Sequence, residues 1–251
     1  MSTNHETLDI LYQDEFLVVV NKPSGLLVHR SPIDRHETRF AMQILRNQLN
    51  QWVYPVHRLD KPTSGLLIFG LSSNSAQKLA KQFENAEVQK QYLAVVRGFT
   101  HLGGIINHPI KEALMFKHEK KFRENIIPQQ ALTYYHRLAT TEQPWQNGKH
   151  TTSRYSLVAL HPKTGRQHQL RRHMKHLSHP IIGDSRYGKS EHNNFFATQL
   201  NSHRLLLAAT RASFRHPETN EALTIHAPLQ GDFVKVLQHF DWESSVSTLN
   251  F

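Results

Sequence analysis

The apolar runs of this chain are short, and most segments joining them are shorter than a crossover helix needs. Residues 9–29 set the pattern: ILY, QDE, FLVVV, NKPSG and LLVH alternate β-rich stretches with turn-forming residues. Further strands are expected at about 52–58, 65–71 and 89–98, as a pair at 130–140 and 151–160 around QPWQNGKH, and at about 204–214 and 222–226. Apolar spacing predicts helices over 37–49 (Phe40, Ile44, Leu45), 73–85 (Ala76, Leu79, Ala80, Phe83) and 166–177 (Leu170, Met174, Leu177), with a short one near 231–240. Parallel strands require crossovers of a dozen residues or more. The expected class is therefore α+β, a single domain over 1–251 with a large, mostly antiparallel mixed β-sheet flanked by helices and loops. The lysine-rich KEALMFKHEKKFR, residues 111–123, reads as an exposed insertion between strands.

Composition narrows the chemistry. The 251 residues include no cysteine, which excludes disulfides, thiolate zinc sites and cysteine nucleophiles and suits a reducing cytosol. A formal charge of +10, from 30 Lys and Arg against 20 Asp and Glu, favours a polyanionic partner. No signal-peptide pattern opens the sequence, and no apolar run approaches membrane-spanning length. Motifs for nucleotide cradles (GxxxxGK[ST], GxGxxG) and for serine hydrolysis (GxSxG) are missing.

One carboxylate then stands out. HRLDKPTSG, residues 57–65, joins two apolar runs and sets Asp60 among His57, Arg58 and Lys61. In one reading Asp60 is an Asx-turn residue accepting backbone N–H bonds. In the other it is a reactive group, kept ionised by Arg58 and Lys61 and held on a rigid base. A second basic constellation is HPKTGRQHQLRRHMKHL, residues 161–177. Gly165 suits a sharp turn into the helix, and Arg166 with the first-turn N–H groups forms a candidate anion site. Its anion is either an RNA phosphate or Asp60. Arg171, Arg172 and Lys175 make a candidate phosphate-binding face, against the plainer reading of a solvated helix surface. His168, His173, His176 and His179 lack metal-site spacing and read as RNA-facing donors or packed, hydrogen-bonded side chains. Tyr92, in KQYLAVVRG, is either a packed strand tyrosine or a ring that stacks on a base.

Taken in order, these segments resemble a known family. HRLDKPTSG resembles the HRLDxxTSG signature of the RluA-type pseudouridine synthases, with every specified position matched. KQYLAVVRG is similar to the family's second motif, which carries a tyrosine, and TGRQHQLRRH to its third, GRxHQ(I/L)R. HPIIGDSRYG and ASFRHPETNEALTIHAPL resemble later stretches, so the likeness runs from about residue 10 to 235. The resemblance implies the pseudouridine synthase fold without an N-terminal S4-like domain, and isomerisation of a uridine in RNA with no cofactor or metal. It implies Asp60 as the catalytic aspartate, Tyr92 as the ring on the target base and Arg166 as the partner of Asp60. Arg58 would take the place of the extruded uridine. His57, Lys61, Gly165, His168, Arg171, Arg172 and Lys175 complete the candidate RNA contacts.

The opening LDILYQDEFLVVVNKPSGLLVHRSPIDRHET is similar to members acting on uridine 65 of tRNA. The expected partner is therefore RNA, tRNA first, met by a cytoplasmic monomer that binds neither membrane nor DNA. A ribosomal RNA substrate and a non-catalytic RNA-binding role are the alternatives. Two departures from the family pattern are Ala208-Ala209, where His-Ala is frequent, and Asn220, where a turn glycine is common. Asn tolerates positive φ, so the hairpin at 220 is expected to survive.

Overall fold

A computed structural model describes residues 6–30, 36–111 and 127–247. The chain opens with β1 (Asp9–Gln13), β2 (Leu17–Lys22), α1 (Ala41–Leu49), β3 (Tyr54–Pro55), β4 (Ser64–Gly70) and α2 (Ser73–Glu84). It continues with β5 (Gln89–Arg97), β6 (Gly103–Asn107), β7 (Leu132–Gln143), β8 (Ser153–Pro162), α3 (Gln169–His176) and α4 (Ser190–Leu200). The last elements are β9 (Leu207–Arg215), β10 (Ala222–His226), α5 (Asp232–His239) and α6 (Glu243–Ser247). Two compact units emerge, one of Met1–Lys90 with Ala208–Leu229, the other of Gln91–Leu207 with Gln230–Phe251. The class is α+β as expected, its strand pairs antiparallel apart from β4 with β9 among the named pairs.

In the first unit β2 and β4 are buried along their whole length and run antiparallel, from Leu17 opposite Gly70 to Lys22 opposite Gly65. Such unbroken apolar runs (LVVV, LLIF) are what a strand covered on both faces requires. β1 pairs with the other edge of β2. The second edge of β4 is shared between two partners. Ser64 and Gly65 lie parallel to Ala208 and Ala209 of β9, while Phe69 and Gly70 lie antiparallel to Pro55 and Tyr54 of β3. β10 then pairs with β9 through a turn in which Asn220 adopts a φ of 59°. The expected tolerance of Asn at that position is therefore met.

The second unit is built on the antiparallel series β5, β8, β7, β6. One face of this series carries Ala94, Val96, Val158, Leu160 and Tyr135, packed against Leu170 and Met174 of α3. On the alternate face Tyr155 lies in an aromatic cluster with Trp145 of the β7–β8 connection, Phe196 of α4 and Phe240 at the end of α5. Burial drives the pKa of His192 down to about 4, and its Nδ1 meets the Tyr155 hydroxyl at 3.0 Å.

Several expected boundaries move, each for a local reason. The helix expected over 37–49 begins at Ala41, because Phe40 stays extended and bridges Leu27. That expected over 166–177 begins at Gln169, after a turn closed by side chains. The strand expected at 52–58 is only Tyr54–Pro55, since the chain leaves the edge of β4 beyond it. β6, α4 and α6 were not expected. GGIIN holds two weak strand formers, and the apolar residues of α4 cluster as Phe195-Phe196 instead of recurring at helical spacing. Apart from Lys111, the lysine-rich stretch lies outside the described residues.

Among the glycines of the first unit, Gly65 has the least room for a side chain. Its φ is +107°, and a Cβ there would lie 2.1 Å from the Ala209 carbonyl oxygen. Gly65→Ala is expected to cost about 3 kcal/mol or more, from backbone strain plus overpacking. Chemical denaturation checks it through a lower midpoint.

Candidate active site

The loop carrying Asp60 is fastened from beneath. Lys22 has 0% exposure, and its ammonium donates to the carbonyls of Pro23 (2.9 Å), Leu26 (2.8 Å) and Lys61 (3.2 Å). A buried cation is tolerated only when its protons find acceptors. The same Lys61 carbonyl accepts the Gly25 N–H at 2.9 Å, and the Ser24 hydroxyl donates to the Pro62 carbonyl at 2.7 Å. NKPSG at 21–25 and DKPTSG at 60–65 are thereby locked together. Within the loop, the Thr63 N–H donates to the Asp60 carbonyl at 3.0 Å, closing a turn that leaves the Asp60 side chain half-buried.

The neighbours of Asp60 divide their tasks. Arg58 is exposed. Lys61, expected to serve the carboxylate and RNA, pairs through Nζ with Glu37 Oε1 at 2.5 Å. His57, expected as an RNA contact, turns inward. Its Nε2 accepts the Ile68 N–H at 3.0 Å, and its ring stacks on Phe83 with centroids 4.4 Å apart. Burial, reinforced by Lys90, pushes the His57 pKa down to about 3.

In the second unit Tyr92 lies opposite Leu160, half-buried against the core that α3 covers. The TGR turn preceding α3 is organised by Gln169, a residue not singled out from the sequence. The Gln169 carbonyl oxygen accepts from the Thr164 hydroxyl (2.7 Å) and the Arg166 N–H (3.0 Å). Its amide donates to the Leu132 carbonyl (3.1 Å) and the Thr133 hydroxyl (3.0 Å). A fully satisfied buried amide of this kind admits one geometry. It fixes the backbone of Arg166, whose exposed side chain donates through Nε to the Gln130 carbonyl at 3.2 Å. Gly165 has ordinary φ and open space where a Cβ would sit, so the turn does not demand glycine. The only signal for Gln169 was its place inside GRxHQ.

The expected basic face of α3 is split. Arg171 is buried and grips Asp184 in a two-pronged ion pair, Nε to Oδ2 at 2.7 Å and a second bond at 2.9 Å. It therefore presents no solvated surface in this structure. Arg172 donates to the Lys111 carbonyl at 2.6 Å, and Lys175 is exposed, 5.8 Å from the centre of the Tyr187 ring. Tyr187 also meets His168 Nδ1 through its hydroxyl at 3.0 Å, bracing a histidine held at a φ of 54°. His173 is buried between the Thr133 hydroxyl and the His108 carbonyl, His176 stacks on His108, and His179 bonds the Arg97 carbonyl. His168, His173 and His179 are thus hydrogen-bonded within the fold, while His176 is exposed and held by its stack. Among the described residues no three metal-ligating side chains are grouped.

Comparison with known proteins points one way. A family model described as RNA pseudouridylate synthase matches residues 16–176. The chain is 52% identical to the tRNA pseudouridine synthase C of Pasteurella multocida, covering 94% of this chain and 98% of that protein. It is 47% identical to the protein of that name from Vibrio cholerae, over 95% and 98%. Among solved structures, human RNA Pseudouridylate Synthase Domain Containing 4 shares the fold, with a TM-score of 0.70, 24% identity and 93% coverage of each chain.

Asp184 also gives a pH dependence. Arg171 and the N–H groups of Arg186 and Tyr187 outweigh burial and hold its carboxyl below the ordinary 3.8. Its stabilising contribution is complete above that value and is lost as pH falls through the lower folded-state pKa. Asp184→Ala, which strands a buried guanidinium, is expected to cost about 3–5 kcal/mol at neutral pH. Acid titrations of stability should show the variant's curve flattened below pH ~4 relative to wild type.

Proposed function

Because this chain belongs to the RNA pseudouridylate synthase family, we propose that it converts a uridine of tRNA, uridine 65, into pseudouridine with Asp60 as the catalytic carboxylate. The observation that carries this reading is the family match over residues 16–176, a span that contains Asp60, Tyr92 and Arg166. Two relatives near half identity, both named for tRNA, support the substrate class, and the opening segment supports the position.

The reaction breaks N1–C1′ and joins C1′ to C5, so the base must detach, turn and reattach. N1 gains a proton and C5 loses one. A stacked, paired base cannot turn, hence the nucleotide leaves the helix at a cost of a few kcal/mol. Asp60 attacks C1′, attacks C6 of the ring or removes a ribose proton. Each route needs a carboxylate held on a fixed loop, and the Lys22 clamp fixes the loop that carries Asp60. In this reading Tyr92 stacks on the detached base, Arg166 provides a guanidinium for the reacting anions, and the exposed Arg58 fills the vacated place in the RNA stack. The protein works as one catalytic domain and as a cytoplasmic monomer, where tRNA is matured.

Pseudouridine mapping after incubation with separate tRNA and ribosomal RNA tests the substrate. Product at tRNA uridine 65 is expected, and product in ribosomal RNA alone would overturn the assignment. Asp60→Asn is expected to keep tRNA affinity while losing turnover by ~10⁴-fold or more. Reversing Arg172 and Lys175 to Glu should weaken tRNA binding and lower the salt slope by about one for each phosphate left without a cation. Filter binding at several salt concentrations reads that slope.

A further inference from the structure

We propose that His57 is a positioning residue for Asp60: its imidazole replaces a missing backbone acceptor on β4 and so fixes where the HRLD segment leaves the sheet. This rests on the assignment of Asp60 as the reactive carboxylate.

The argument starts from the shared edge of β4. Ser64 and Gly65 pair with β9, Phe69 and Gly70 pair with β3, and Ile68 falls in the gap between. Continuing the β3 register past Pro55 would bring Val56 opposite Ile68 and offer its carbonyl to the Ile68 N–H. Instead the chain departs, and the next residue returns only a side chain. His57 Nε2 takes the Ile68 N–H at 3.0 Å, a normal ladder bond length. A buried N–H without an acceptor is destabilising, so the imidazole lets the strand end early without that loss.

The ring is held for this task. Phe83 of α2 stacks on it at 4.4 Å with an interplanar angle of 15°. α2 in turn sits tightly on β4, where a Cβ on Gly70 would lie 2.6 Å from the Ala76 nitrogen. Acceptance at Nε2 requires the neutral ring with its proton on Nδ1, and burial keeps the ring neutral. Asp60 is three residues beyond this anchor and one residue before the Lys61 carbonyl that Lys22 holds. The reactive segment is thus fastened on both sides, by an imidazole before it and an ammonium after it.

The test compares wild type, His57→Leu, His57→Gln and Asp60→Asn on tRNA. His57→Leu should bind tRNA within about twofold of wild type while kcat falls about 10–100-fold, the scale of a small misplacement. His57→Gln, which presents a carbonyl oxygen at similar reach, should recover most of kcat. Amide exchange at Ile68 should quicken in the Leu variant and return towards wild type in the Gln variant. Nitrogen-15 imidazole shifts of the wild-type protein at pH 7 should report the neutral Nδ1–H tautomer. Unchanged kcat in His57→Leu, a loss of tRNA affinity with kcat preserved, or an Nε2–H tautomer would each overturn the proposal. If His57→Leu does not fold, the Gln variant and the wild-type tautomer decide. Full activity in Asp60→Asn would sink the catalytic assignment separately, leaving the Ile68 exchange result to stand alone.

Discussion

Lys22 brings an ammonium into a place closed to solvent, and backbone carbonyls from two segments surround it. An unsolvated charge of this kind would cost several kcal/mol, so the acceptors are a condition of folding. One of them, the Lys61 carbonyl, adjoins Asp60 directly. Solvating the lysine and shaping the loop that carries Asp60 are therefore the same event. Were the loop to drift, the ammonium would lose the Lys61 acceptor, so the buried charge restrains the loop.

The second unit reaches the same end by neutral and paired groups. Gln169 spends both amide protons and its carbonyl on the TGR turn and on β7. Two residues further along α3, Arg171 closes on Asp184, whose Oδ1 also takes the Arg186 and Tyr187 N–H groups. Loops deform more easily than strands or helices. In both units the loops bearing the candidate reactive groups are stiffened by buried polar atoms whose partners are all specified.

The strand-rich α+β class was legible because unbroken apolar runs between turn residues leave few alternatives, and the β9–β10 hairpin was legible because Asn can sit at positive φ. The motif residues stand out in the sequence as a set, but the direction each side chain takes does not. His57 and Arg171 read as RNA contacts since a basic residue in a basic stretch is most simply placed outward. His57 faces inward because β3 stops at Pro55, two residues before it, short of its partner on β4. Arg171 faces inward because Asp184 is 13 residues away on a different segment. Neither cause is local, so neither can be seen in a window of sequence. Gln169 escaped notice for a related reason: a glutamine at the start of a helix looks soluble until the strand it bonds to is known.

At Gly65 the obstruction is a main-chain oxygen. Crowding between two side chains can be relieved by trimming either one, which is how suppressor mutations arise. The carbonyl of Ala209 stays in place whatever residue stands at 209. No second substitution along β9 can therefore rescue a larger residue at 65, and the glycine is tied to a strand path instead of to any neighbour's identity.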